Sequence, residues 1–281
     1  ASSNDVCPSL SRSAERSAID SERYWPKRAK FTSLPLRVEV ITTRFVAANR
    51  CRNGALAEAV LQQLALQKAA PPQRILDLGC GTGWLLRHLQ RQWPDEQSPS
   101  LFALDLSEGM LQASGTESGP LPVCADASLL PFANASIDLL LSNFALHWCD
   151  DPAQVLAEIH RVSTSKGRAF CVIPVAGSLD ARGELAGQGA SLRDLQDWQQ
   201  AVADSPWQLV SSDVEQWVEH HETPADWLST LRALGVTARR GVSGGLFGRA
   251  AYAELQRQLE LSREPAGIPL RYQVWRIQLQ A

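Results

Sequence analysis

The residues best suited to chemistry stand in one short stretch, Leu76-Asp77-Leu78-Gly79-Cys80-Gly81-Thr82-Gly83, which follows an apolar strand and opens a helix. Three glycines at alternate positions allow a tight turn and let the backbone approach a ligand that any Cβ would hold off. The spacing departs from GxGxxG, whose turn aims a helix N-terminus at a pyrophosphate. Asp77 stands two residues before the first glycine, and a carboxylate there suits a cationic ligand, such as the ammonium of a methionine moiety, and repels a pyrophosphate. Asp105 ends the next apolar strand 22 residues after Gly83, where an acid meets ribose hydroxyls in a Rossmann-like unit. Asp126, in Cys124-Ala125-Asp126-Ala127, is placed to accept from an exocyclic amine while Ala127 offers a backbone N–H to the ring; a surface turn is the plainer reading. Last, Ser142-Asn143-Phe144-Ala145-Leu146-His147-Trp148 leaves the fourth strand at the carboxyl edge, where open α/β sheets place their ligands. An Asn, a His and a Trp together read as a reaction chamber, although His147 alone reads equally well as a core or capping residue.

Short apolar strands must carry these groups: Arg74–Leu78, Leu101–Asp105, Leu121–Cys124, Ile137–Leu141 and Ala169–Ile173. They alternate with helical stretches at Trp84–Gln92, Ser107–Ala113 and Pro152–Val162, a pattern that predicts a parallel sheet covered by helices on both faces. Ahead of them, Gly54–Lys68 has helical apolar spacing that Pro71-Pro72 stops. The organisation read from these changes is an N-terminal extension over 1–44, an α/β core over 45–177, a helical lid or insertion over 178–205, and a completion over 206–281 with two helices and a final strand Tyr272–Leu279.

A chain of 281 residues, 44% apolar and 20% charged, buries a full core in one large domain or a domain with a lid. Its formal charge of −3 exerts no general pull toward nucleic acid or anionic membrane. The absence of a long apolar run or an apolar leader core gives the expectation of no membrane span and a cytoplasmic location. Six scattered cysteines without a CxxC pair suggest neither a metal site nor a disulfide framework. Charge is uneven locally. Residues 180–222 hold nine acids against Arg182 and Arg193, whereas residues 225–281 hold eight arginines against four acids.

From Ile75 to Ile173 the chain resembles class I methyltransferases dependent on S-adenosylmethionine. That resemblance implies a Rossmann-like sheet, mostly parallel with an antiparallel final strand. It also implies S-adenosylmethionine as methyl donor, held by Asp77, Gly79, Cys80, Gly81 and Gly83, by Asp105, Leu106 and Met110, and by Asp126, Ala127 and Asn143. Arg161, in Glu158-Ile-His-Arg-Val, is implied to be structural.

A narrower resemblance is to the malonyl-acyl carrier protein O-methyltransferases of biotin synthesis. It rests on Asn143…His147-Trp148-Cys149, Gly177-Ser178-Leu179, Leu231-Arg-Ala-Leu-Gly235, Gly244-Gly-Leu-Phe-Gly-Arg249 and Gly267-Ile-Pro-Leu-Arg-Tyr272. It implies a malonyl group on an acidic acyl carrier protein, or malonyl-CoA, as acceptor. His147, Trp148 and Ser178 are then candidates for positioning that acceptor, no residue acts as acid or base, and Arg240 and Arg249 are candidates for carrier-protein contact. The Tyr-Asp and His that this family carries before the glycine strand have no counterpart in Phe45–Gly54. Two alternatives stay open at this point: a methyltransferase of another small carboxylic acid or metabolite, and a catalytically weak relative that binds cofactor or carrier protein.

Overall fold

The computed structural model describes residues 72–91, 98–113, 119–178, 192–233 and 249–281. Within them the alternation forms one seven-stranded sheet in the order β3-β2-β1-β4-β5-β7-β6. Strands β1 (Arg74–Leu78), β2 (Ser100–Asp105), β3 (Leu121–Cys124), β4 (Ile137–Asn143) and β5 (Ser163–Pro174) pair in parallel. The final strand β7 (Ile268–Gln280) runs antiparallel to β5 on one side and to β6 (Gln208–His221) on the other. The sequence pattern did not reveal β6. It is a sheet edge whose first seven residues are exposed on both faces, so its side chains lack the alternation that marks a half-buried strand.

The central strands are apolar on both faces because helices cover both. Ile75, Leu76 and Leu78 of β1 and Leu139, Leu140 and Leu141 of β4 are buried, their alternate side chains feeding two separate cores. One core takes Leu85, Leu86 and Leu89 from α1 (Trp84–Gln90), with Trp227 from α5 (Pro224–Ala233) and Leu259 from α6 (Arg249–Leu261). The other takes Val155, Leu156, Ile159 and Val162 from α3 (Pro152–Val162) and Trp198 and Val202 from α4 (Leu195–Ala203). The short α2 (Glu108–Ala113) follows β2. Helix α3 starts where Asp151 accepts hydrogen bonds from the Ala153 and Gln154 amides and Pro152 opens the first turn. Three tryptophans fix elements through their indole N–H as well as their rings: Trp207 donates to the Leu156 carbonyl, Trp227 to the Pro269 carbonyl and Trp275 to Ser212 Oγ.

The extension 1–44, the helix expected over Gly54–Lys68, Phe45–Gly54, Arg240 and residues 179–191 lie outside the described residues, as does the side chain of Arg249. Of the stretch 178–205, residues 195–203 form α4, packed in the core beside α3. Among the described residues, no helix is long and apolar enough to cross a membrane, and no group of acids, histidines and cysteines could hold a metal ion.

Arg161 makes the structural contacts that the family resemblance implied. From the end of α3 its guanidinium donates to the Leu130 and Phe132 carbonyls, to Asn134 Oδ1 and to Glu158, whose carboxylate in turn accepts from the Leu130 amide. These bonds clamp the loop between β3 and β4 to α3. Arg161→Met should cost about 2–3 kcal/mol, because Glu158 and two carbonyls lose a charged donor at a mostly buried site. Urea denaturation measures this, and a loss within 0.5 kcal/mol, the ordinary range of a surface change, would contradict it.

Candidate active site

The glycine turn is left-handed at all three positions, with φ of +75° at Gly79, +54° at Gly81 and +69° at Gly83. A Cβ built on Gly79 would lie 2.1 Å from Ala145 Cβ, so the turn after β1 rests directly on the chain leaving β4. The amides of Gly79 and Cys80 both donate to the Leu104 carbonyl, at 2.8 and 2.9 Å, which anchors the turn over the end of β2. Asp105 braces it from the other side. One carboxylate oxygen accepts from the Gly81 amide at 2.9 Å and the other from the Ser107 amide at 2.8 Å.

Asp77 is only 2% exposed, and burial together with the neighbouring Asp105 carboxylate raises its pKa to about 8. Burial also raises the pKa of Asp105, against the pull of its amide donors. Two desolvated carboxylates beside a bare backbone turn form a site short of positive charge, which a cationic ligand corrects and a phosphate worsens. The residues present therefore fit a ligand such as S-adenosylmethionine.

Three large apolar side chains are exposed along the same rim: Leu106 after β2, Leu129 in the loop after β3, and Trp148 after β4, at 55%, 57% and 47%. Apolar side chains left open at a sheet's carboxyl edge are a surface for a flat ligand to cover. Leu106 is among the cofactor contacts that the family resemblance implies, whereas Leu129 in sequence reads as one more core leucine. Met110 is half-buried in α2. Asp126 is exposed, with one oxygen accepting from the Ser128 amide and hydroxyl, and Ala127 packs beside the core. Asn143 closes β4 next to Ser142, whose hydroxyl donates to the Leu78 carbonyl and so ties β4 to β1 just below the turn.

A short 3₁₀ turn, Leu146–Trp148, carries the acceptor-side candidates. His147 Nδ1 is enclosed without a hydrogen-bond partner among the described residues, and burial lowers the imidazole pKa to about 4, so the ring is neutral at physiological pH. The Trp148 ring leans on it at 4.9 Å. Ser178, the third acceptor-side candidate, follows β5. Its hydroxyl accepts from the Gln273 amide and lies within bonding distance of the Val175 and Gln273 carbonyls, so it pins the chain leaving β5 against β7.

Burial raises the pKa of Cys80 strongly and that of Cys149 to about 11, which leaves neither as a thiolate nucleophile. Sequence reasoning also missed an aromatic group. Phe144, at φ +53°, stacks on Trp217 and meets Tyr272 edge-on, both at 5.7 Å. A left-handed bulky residue stores strain at this rim. Its partners lie more than 70 positions further along the chain, where no local signal links them to β4.

Residues 76–171, which hold the turn and most of the rim, match the family model described as a methyltransferase domain. The chain is 34% identical over 232 residues to a malonyl-acyl carrier protein O-methyltransferase from Alcanivorax borkumensis, covering 78% of this chain and 76% of that protein. The chain belongs to this family. A second member, from Gallionella capsiferriformans, is 32% identical over 258 residues, covering 81% of this chain and 86% of its own. Among solved structures, geranyl diphosphate C-methyltransferase from Streptomyces coelicolor A3(2) superposes with a TM-score of 0.52 at 15% identity, over 94% of this chain and 91% of that one, which shows a shared fold.

The described carboxyl-terminal arginines are committed to carboxylates. Arg257 pairs with Glu254, Arg263 with Glu260, Arg271 with Glu264, and Arg276 with Glu215 and Asp213. The excess of arginine read from the sequence is therefore largely neutralised on the described part of that segment.

Proposed function

We propose that this chain is an S-adenosylmethionine-dependent O-methyltransferase that esterifies the free carboxylate of a malonyl group on acyl carrier protein, an early step in biotin synthesis. The observation that carries the reading is the pair of desolvated carboxylates, Asp77 and Asp105, at a left-handed glycine turn in a member of this family. Asp77 takes the ammonium of the methionine part and Asp105 the ribose hydroxyls. The glycine turn allows close approach; Leu106, Met110, Asp126 and Ala127 serve the adenine end; and Asn143 positions the methionine part.

S-adenosylmethionine supplies an electrophilic methyl group on a positively charged sulfur. The acceptor carboxylate is already ionised at neutral pH, so no side chain has to remove a proton. The chain's task is to hold the carboxylate oxygen about 3–3.5 Å from the methyl carbon, in line with the bond that breaks. His147, kept neutral by burial, and Trp148 wall the acceptor side without adding charge of their own.

Mass spectrometry of carrier protein after incubation with S-adenosylmethionine tests the reading. A gain of one methyl on malonyl-acyl carrier protein, and none on acetyl-acyl carrier protein, is the expected result. Turnover of free small acids alone would replace this reading with a small-molecule methyltransferase. Cofactor binding with no methylation of any carboxylate would replace it with a binding module.

A further inference from the structure

The methyl-donor side of the rim is acidic: Asp77, Asp105 and Asp126 stand at strand ends or in the loops that follow them. A carboxylate acceptor entering past these acids is drawn by the methyl donor's positive sulfur, and positive charge on the acceptor side adds to that pull. Arg193 stands there. It lies just before α4, its own carbonyl accepts from the Ala176 amide after β5, and its Nη2 donates to the Asp150 carbonyl at the end of the loop after β4. It thus bridges the two loops that follow β4 and β5. Burial and the Asp126 and Asp150 carboxylates push the Cys149 thiol up, and the Arg193 guanidinium pulls against them.

Unlike Arg161, Arg257, Arg263, Arg271 and Arg276, Arg193 forms no ion pair with a described carboxylate; its partner is a neutral carbonyl, which occupies one of five N–H donors. The loop it grips also carries His147, whose enclosed Nδ1 has no partner among the described residues. An unpaired buried ring nitrogen on this loop and a guanidinium with spare donors gripping it from the start of α4 are groups that a ligand would complete.

We propose that Arg193 is the residue that recognises the acceptor's free carboxylate, pairing with one oxygen while the other is presented to the methyl group. This inference rests on the carboxylate O-methyltransferase reading given above. In the transfer, the unpaired oxygen forms a bond to the methyl carbon as the carbon–sulfur bond breaks, and the electron pair of that bond stays on sulfur. No proton moves. The product ester is neutral, so the ion pair that held the acid is lost on reaction, and Arg193 favours binding of substrate over product. The planar guanidinium, with spare donors fixed at the loop, suits a carboxylate better than an ammonium would.

The test measures binding to the protein saturated with S-adenosylhomocysteine, so that no turnover occurs. Malonyl-acyl carrier protein is compared with its carboxamide isostere, which has the same shape and no charge. Wild type is expected to prefer the acid at least tenfold. Arg193→Gln should bring the two affinities within about twofold, and Arg193→Lys should fall between. Because the readout is a ratio, a partly unfolded variant still reports it. In turnover assays, Arg193→Gln should raise KM for malonyl-acyl carrier protein at least tenfold and change kcat much less. Retention of the wild-type preference in Arg193→Gln would overturn the assignment. Failure of wild type itself to prefer or methylate the acid would overturn the functional reading instead.

Discussion

Asp77→Asn is expected to yield a protein that melts higher than wild type above pH 7 and has lost S-adenosylmethionine binding by at least 100-fold. Both effects come from one carboxylate. Its pKa is raised from the ordinary aspartate value of 3.8 to about 8 in the folded chain, so between those values the native state holds a proton that the unfolded state has released. The stabilisation from that bound proton is complete below about pH 4 and is lost as pH rises through 8. At pH 8 the ionised, buried carboxylate costs about 3–5 kcal/mol relative to a neutral group. An amide left incompletely bonded at the site returns about 1–2 kcal/mol of that. The net gain of about 2 kcal/mol corresponds to about 4–8 °C for a chain of this size.

The melting difference between variant and wild type should therefore grow from pH 5 to pH 8, and calorimetry across that range measures it. Ligand binding should release protons in the wild type at pH 7, since the charged ligand selects the ionised form of Asp77. A flat difference across pH, or full ligand affinity in Asp77→Asn, would remove Asp77 from the role assigned to it.

Gly79→Ala should be at least as damaging, through packing rather than charge. The new methyl would meet Ala145 Cβ at 2.1 Å, and the backbone at φ +75° is one that alanine adopts only at a cost. The conformational part costs about 1–2 kcal/mol, and forcing the two chains apart about 1–3 kcal/mol more. A melting temperature lower by about 4–20 °C follows, with S-adenosylmethionine affinity lost as the turn lifts from Asp105 and Leu104. Adding Ala145→Gly removes the opposing methyl and should restore the packing part of the loss while leaving the conformational part. No recovery in the double variant would show that Ala145 is not what Gly79 accommodates.

The pattern of apolar runs and breakers determined the parallel core, since strands buried on both faces must be apolar throughout and must be joined by helices. The Asp77 and three-glycine turn was legible for a related reason: a left-handed bend after a strand admits few other residues, so geometry is written locally in composition. Asp105 was legible as a strand-end acid, but its hydrogen bond to the Gly81 amide, 24 positions away, was not.

Whatever depends on juxtaposing distant segments had to await the tertiary structure. Edge strand β6, exposed along its outer half, carries no burial pattern to read. The stack of Phe144 on Trp217 and Tyr272, and the engagement of Ser178 with Gln273, join positions that no local rule connects. The same holds for Arg193. In sequence it is one of two cations in an acidic stretch, and only the docking of α4 beside α3 brings its guanidinium to the Asp150 carbonyl. Local backbone preference and burial period are properties of short windows of chain, whereas charge pairing and close approach are properties of the assembled sheet.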